Sequence, residues 1–399
     1  MIRMGLSFLL ASLLVLPLAG CWDRREMNEL GISVAMGIDK VGNQYQVTVQ
    51  VVQPGEVAQK KTANGASTPV TLFESKGQTL FEAIRKMTTI SPRKIYASHL
   101  RVVLFGEQLA REGIEESLDL LSRDYELRTD FYILVARGTT AANALGVLTP
   151  LEKIPANKIY ESIETSEKVW TSTAVTLDEF ITDYVSDGKS PVLSGIMVKG
   201  NEATGQSQRN VERIRPAAAL QNAGLAAFRK GKLIGWLDEE ESKGYNYILN
   251  HIKSTVTHIS CPRGGKIALE VIRSDADIKG YVKNSIPHFD IALRLEQNAG
   301  EVTCKLDLTQ EETIHELEEK SAQSLKKTIV HAVEEARNKH KTDIFGFGNV
   351  IHRADPASWK TLKADWDEHF VDAVVQVKVE VKMKRVGTIT NSFFEGRKD

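Results

Sequence analysis

"HLRVVLFGEQLAREGIEESLDLLSRDYELRTDFYILVA", residues 99–136, carries the topology in its hydrophobic pattern. Its start, "HLRVVLF", reads as a strand, and its end, "DFYILVA", is apolar almost throughout, as a strand covered on both faces is. Between them Ile114, Leu118 and Leu121 recur at helical spacing and make one apolar stripe. Strand, helix, strand predicts a parallel pair joined by a crossover. Upstream, "VTLFES" (70–75) reads as a strand. Thr79 with Glu82 then forms a capping box for a helix presenting Leu80, Ile84 and Met87. Downstream, Thr139 or Thr140 caps a short helix. Residues 70–147 therefore read β-α-β-α-β-α, a small parallel sheet.

The flanks have different periods. Residues 31–53 read as a hairpin: "GISVAMGID", a turn at "KVGNQ", then "YQVTVQVV" with Tyr45, Val47, Val49 and Val51 on one face. Residues 54–69 are small and polar, a loop or a crossing between domains. Residues 155–186 are helical, with Thr176 and Glu179 as a further capping box. Strands return at 191–199 and 217–237, the latter turning at Lys230-Gly231. The expected arrangement puts the strands of 31–53 and 191–237 together in one sheet. They belong to a discontinuous domain of residues 21–69 plus 148–240, with 70–147 inserted as a unit of its own.

From about residue 250 the pattern alternates as half-buried antiparallel strands do: "KIALEVI", "HFDIALRLE" and "EVTCKLDL". Thr309 with Glu312 is expected to cap the longest helix, running to about Lys341, with Ile314, Leu317, Leu325, Ile329 and Val333 in its stripe. Asp355-Pro356 opens another helix lined by Trp359, Leu362, Trp366 and Phe370. A last strand, "VVQVKVEVKMKR", alternates Val375, Val377, Val379, Val381 and Met383 against polar residues. Residues 250–399 thus form a C-terminal domain, an antiparallel sheet with one long and one shorter helix. The fold class is mixed α/β, or α+β: three domains, each a small β-sheet flanked by helices.

Length and charge narrow the function classes. At 399 residues, several domains are expected. A net charge of −1, with 26% charged residues, argues against a nucleic-acid binder, which needs a basic surplus. The start of the chain is apolar from Leu6 to Leu18, with Arg3 before it. At the helical rise that run spans about 20 Å, short of the hydrocarbon core, so it reads as a secretory leader at 1–20. It ends in Leu18-Ala19-Gly20-Cys21, which looks like a bacterial lipobox. Cleavage between Gly20 and Cys21, with diacylglyceryl and N-acyl groups on Cys21, would anchor the mature chain stably. The two remaining cysteines, Cys261 and Cys304, are expected as free, partly buried thiols, since a buried cysteine behaves as a small hydrophobe.

Catalytic and metal motifs are lacking. Residues 200–207 miss the lysine of a P-loop and are read as a loop. His315-Glu316 has no second histidine one turn on. His251 and His258 lack partners at ligand spacing and are read as surface or interface histidines. Neither a catalytic residue, a metal site nor a cofactor is expected. "DIFGFGNVIHR" (343–353) leaves two readings open. Phe345 and Phe347 plug the core beneath a helix–helix turn, or Phe345, Gly346, Phe347 and Gly348 form a partner-docking corner.

Several blocks together resemble one family. "GCWDRREMNELGISVAMGIDK" (20–40), "SPRKIYASHLRVVLFGEQLAREGI" (91–114), "GLAAFRKGKLIGWL" (224–237) and the stretch 342–387 are similar to the Ger(x)C lipoproteins, the C subunits of spore germinant receptors. The resemblance implies three mixed α/β domains and a lipid on Cys21. It also implies a place on the outer side of the spore inner membrane, beside an A subunit and a polytopic B subunit. It implies a non-catalytic role in receptor assembly and in coupling nutrient sensing to germination, with direct nutrient binding left to the membrane subunit. A solute-binding lipoprotein of a transporter is the alternative. That class needs two similar lobes around a cleft, and the two halves here differ in pattern.

Overall fold

The computed structural model describes residues 29–58, 68–261 and 264–385. Gly20 and Cys21 lie outside them. The N-terminal strands are β1 (Leu30–Val41), β2 (Gln44–Val52), β3 (Val70–Gly77), β4 (Lys94–Tyr96), β5 (Val102–Gly106), β6 (Tyr132–Ala136), β7 (Val192–Gly200), β8 (Ala218–Arg229) and β9 (Lys232–Leu237). They form one sheet in the order β3-β2-β1-β5-β6-β7-β8-β9, with β4 beside the start of β1. The centre is parallel: Ala35, Met36, Gly37 and Ile38 of β1 pair with Val102, Val103, Leu104 and Phe105 of β5. β5 continues parallel to β6, and β6 to β7. Antiparallel hairpins close both sides.

Residues 31–53 and 191–237 do share a sheet, but the strands between them are those of the supposed insert. No separate sheet exists for residues 70–147, and β3 sits antiparallel on β2 rather than opening a parallel run. The reason is visible in β1. Every residue from Ser33 to Asp39 is buried, so β1 is a central strand covered on both faces. Such a strand needs a neighbour on each edge. The hairpin supplies β2 and the crossover unit supplies β5.

Helices cover both faces. On one face α1 (Leu80–Lys86), α2 (Glu107–Glu112) and α3 (Glu115–Arg123) pack over Ile38, Val49, Phe105, Ile133 and Phe228. On the other, α4 (Ala141–Gly146) and α5 (Pro155–Val169) cover Ala35, Leu104, Leu134 and Ile196. α6 (Leu177–Tyr184) returns to the first face through Leu177 and Phe180. The expected caps form at Thr79, Thr140 and Thr176, the last as a reciprocal box with Glu179. One cap has no local signal. Asp39, at the end of β1, accepts from the N–H groups of Ala141 and Ala142 at 2.9 and 3.0 Å, fixing the start of α4.

The C-terminal unit begins with α7 (Glu239–Ile248). Its sheet runs β10 (Thr255–Ser260), β11 (Lys266–Lys283), β12 (Ile286–Val302) and β13 (Val374–Arg385), in that order. The first three are antiparallel, and β13 joins parallel to β12. α8 (Glu311–Glu335) buries Leu317, Leu325, Ile329 and Val333 against one face. The other face is solvated, with Lys279 opposite Asp290, and Arg294 between Asp275 and Glu380. Thr309 does not cap α8. Gln310 holds that position, while Thr309 turns back to Asp307 at 2.9 Å. At its far end α8 widens into a π turn, Ala336–His340, closed by Lys341 with φ of +51°. α9 (Phe347–Ala354), α10 (Pro356–Leu362, capped by Asp355) and α11 (Trp366–Asp372) complete the layer.

Cys261 and Cys304 are joined in a disulfide, which corrects the expectation of two free thiols. Both cysteines are buried, as expected, in one small core with Ile267, Leu269 and Leu317, although β12 ends at Val302 and Cys304 lies beyond it rather than in a strand. The long β11–β12 hairpin brings its two ends together and so aligns the flanking cysteines, their Cα atoms 6.5 Å apart.

Candidate functional site: the junction between the sheets

The two sheets are joined where residues 186–191 meet residues 342–349. Asp343 organises the contact. Its Oδ1 accepts from the N–H of Phe345 and Gly346 at 3.0 and 2.9 Å. Its Oδ2 accepts from the Gly348 N–H at 2.8 Å and the Trp366 indole at 3.0 Å. Its carbonyl accepts from the Ser190 N–H at 2.7 Å, tying the loop before β7 to this corner. Burial pushes the Asp343 carboxyl up to about 6, against the pull of its hydrogen bonds.

Around this carboxylate the packing is aromatic. Phe347 stacks on Phe289 of β12 at 4.5 Å and lies 5.3 Å from Phe345. Trp359 and Trp366 meet edge to face at 5.2 Å. Phe345 and Phe347 are 3% and 0% exposed, so both rings belong to the core. Gly346 starts α9 at φ +79°, a left-handed position, and Gly348 lies directly against Gly188. What the corner turns outward is a cavity of about 620 Å³ lined by Lys189, Ser190, Lys230, Lys363 and Trp366 among others.

Polar contacts extend the seam. Ser190 Oγ lies 2.8 Å from Thr342 Oγ1, which donates to Asp367 at 3.0 Å. Ser186 Oγ donates to Asn349 Oδ1 at 3.1 Å. A second seam runs from residues 168–173 to 246–254. There Asn246 Nδ2 donates to the Ser172 carbonyl at 2.9 Å, and the N–H groups of Lys253 and Ser254 both reach the Lys168 carbonyl. His251 sits in this seam beside Thr173, Asn246 and Tyr245. Burial, aided by nearby Lys189, drops its imidazole to about 4, so it is neutral at physiological pH. It is an interface histidine, one of the two readings its sequence context left open.

At Asp343 the arrangement is a structural linkage. Each Asp343 oxygen is already engaged twice by the chain's own donors. The near P-loop at 200–207 is a single helical turn, Glu202–Gly205, capped by Asn201. Asp238, Glu241 and His331 bring polar atoms within 4.8 Å of one another. The two carboxylates, however, form a reciprocal capping box that opens α7. The Asp-x-x-Glu spacing announced that box, and the sequence reading passed over it. It passed over Asp343 too, although an aspartate two residues before Phe345-Gly346 is placed to accept from the N–H two residues on, as turn aspartates do.

Among the described residues no helix is long and apolar enough to cross a membrane. Two mixed sheets locked by a buried carboxylate corner define the architectural class. The family models specify it further. Residues 23–198 match the spore germination protein N-terminal domain, and residues 223–387 match the spore germination B3/GerAC-like C-terminal domain. The chain belongs to the Ger(x)C family of spore germination proteins. It is 31% identical to spore germination protein KC of Bacillus subtilis over the full length of both chains. It is 25% identical to spore germination protein B3 of the same organism, over 94% of this chain and 96% of that one. The crystal structure of the GerBC protein superposes with a TM-score of 0.56 at 20% identity, covering 87% of this chain and 96% of the other, and shares the fold.

Proposed function

We propose that the chain is a non-catalytic, lipid-anchored subunit of a spore germinant receptor, working in receptor assembly and in coupling nutrient sensing to germination. Cleavage between Gly20 and Cys21 and acylation of Cys21 would hold it on the outer face of the membrane, beside the A and B subunits. The observation that carries this reading is the junction. Asp343 and the Gly188–Gly348 contact tie residues 186–191 to residues 342–349, a packed and hydrogen-bonded link of the kind that carries coupling between two units. Family membership and the lipobox-like Leu18-Ala19-Gly20-Cys21 support the setting. Tethering adds its own term, because confinement to the membrane raises the effective concentration at partners there.

Replacing Cys21 by Ala tests the anchoring. The expected result is loss of the chain from the membrane fraction and a matching loss of germination response. Normal receptor levels and normal germination in Cys21→Ala spores would refute it.

A further inference from the structure

The described body begins at Glu29, soon after Cys21, and enters the sheet at Leu30. Leu30 pairs with Lys94 of β4, at the end of the sheet where the parallel strands β1, β4, β5 and β6 all start. Fully extended, the chain from Cys21 to Leu30 reaches roughly 30 Å. A lipid on Cys21 therefore keeps this end of the sheet within that distance of the bilayer. The opposite end lies past Gly200, about 40 Å further along the strands by their register.

Two tight loops crown the end nearest the tether. After α1, the N–H groups of Ile90 and Ser91 both donate to the Met87 carbonyl, at 3.1 and 2.8 Å, and Met87 is fully buried. That turn leaves Ile90 50% exposed. After α3, the Glu126 N–H donates to Asp124 Oδ1 at 2.9 Å and the Leu127 N–H to the Asp124 carbonyl at 3.1 Å. Tyr125 stands at the tip of this turn, 91% exposed. Lys94 ties the loops together: its ammonium pairs with Glu126, whose carbonyl accepts from Ser98 Oγ at 2.6 Å. Exposed apolar side chains are ordinary when scattered. These two share one end of the molecule, and it is the end from which the tether leaves.

We propose that this end of the N-terminal sheet rests on the lipid surface, with Ile90 and Tyr125 seated at the boundary between headgroups and acyl chains. The inference rests on the Cys21 anchor of the preceding section. Tether length selects the occupant, because the bilayer is the one surface held within reach of both loops. Tyrosine suits that depth, its ring in the apolar layer and its hydroxyl toward water. Charge at this end is close to balanced. Lys94 pairs with Glu126, Arg123 with Asp119 and Arg128 with Asp130, while Arg93 and Arg101 are offset by Glu29 and Asp124. The contact is therefore apolar, made by side chains that their turns already hold outward, and it does not need an anionic lipid. It fixes the orientation of the body, with the connection 201–217 facing away from the membrane.

The test is hydroxyl-radical footprinting of the full acylated chain on phosphatidylcholine vesicles, compared with the Cys21→Ser chain in solution. Ile90 and Tyr125 should be oxidised at least about fivefold more slowly on the vesicles, as groups sunk into the interface are shielded from water. High salt should not restore their reactivity. Ile214, fully exposed in the connection 201–217, should react equally in both samples. In the double variant Ile90→Ser, Tyr125→Ser, protection at the neighbouring Pro92 should be lost while the thermal midpoint stays unchanged. A chain with intact Cys21 that fails to float with the vesicles would overturn the anchor, and this proposal with it. A chain that floats with Ile90 and Tyr125 as reactive as in solution, or with Ile214 protected instead, would overturn the proposal alone. So would protection that is absent on bare vesicles and appears only on spore membranes, since that result assigns the two loops to a membrane protein.

Discussion

A Cβ placed on Gly348 would stand 2.5 Å from the Cα of Gly188, so the first turn of α9 and the loop before β7 meet backbone to backbone at this point. The same added carbon would press on Trp359 and Trp366, each at 2.8 Å. Gly348→Ala is therefore expected to cost about 1–3 kcal/mol by overpacking. Urea unfolding should show either a lowered midpoint or two separate transitions. A single transition at the native midpoint would show that the contact is not needed.

Asp343→Asn keeps the shape and changes the donors. The amide oxygen can still accept from Phe345 and Gly346. The NH₂ group would face the Gly348 N–H and the Trp366 indole, both donors. Two buried donors left facing a third lead to an expected loss of about 2–4 kcal/mol. Chemical denaturation at pH 7 measures it.

The acid side of the stability curve should be flatter than a typical protein's. The Asp343 carboxyl is raised to about 6, above the unfolded value near 4. Between those values the native state holds the extra proton, so this contribution is full below about pH 4 and is lost as pH rises through 6. His251 acts in the opposite sense. Its folded value of about 4 lies below the unfolded 6.5, so its contribution is present above pH 6.5 and is lost as pH falls toward 4. Each spans about two units, about 3 kcal/mol at most, and the two offset. His251→Gln should unmask the Asp343 slope, giving a variant whose stability falls more steeply with rising pH between about 4 and 6 than the parent's. Parallel curves would mean that His251 titrates as in the unfolded chain.

The disulfide predicts a stability gap between oxidised and reduced protein. Closing a loop of this length corresponds to about 4 kcal/mol in the chain-entropy account, with measured values usually 2–4. Cys304→Ser should lower the midpoint accordingly, and a reductant should have no further effect on that variant.

How much of this was legible depended on the range of each interaction. The caps at Thr79, Thr140, Thr176 and Asp355 were readable because cap and helix are neighbours in sequence. So was the inward alternation of Val375 to Val381, since pleat and pattern share one period. The sheet's continuity was not readable from pairings alone, although the unbroken burial of β1 was foreshadowed by "SVAMGI". Three contacts had no local signature: Asp39 on α4, Gly188 on Gly348, and the bond between Cys261 and Cys304. Each depends on where distant segments come to rest. The family blocks were legible because they are motifs, and motifs survive without knowledge of the contacts they make.

The placement of β13 bears on how the molecule is made. β12 has a partner on one side as soon as the hairpin forms, but its other edge stays bare until residues 374–385 arrive. α8 cannot complete its bed before then, because β13 forms part of it. The C-terminal half thus has to wait for its last dozen described residues. A stop codon just ahead of them should be as damaging as one far upstream, leaving a sticky, half-built sheet for proteases to clear.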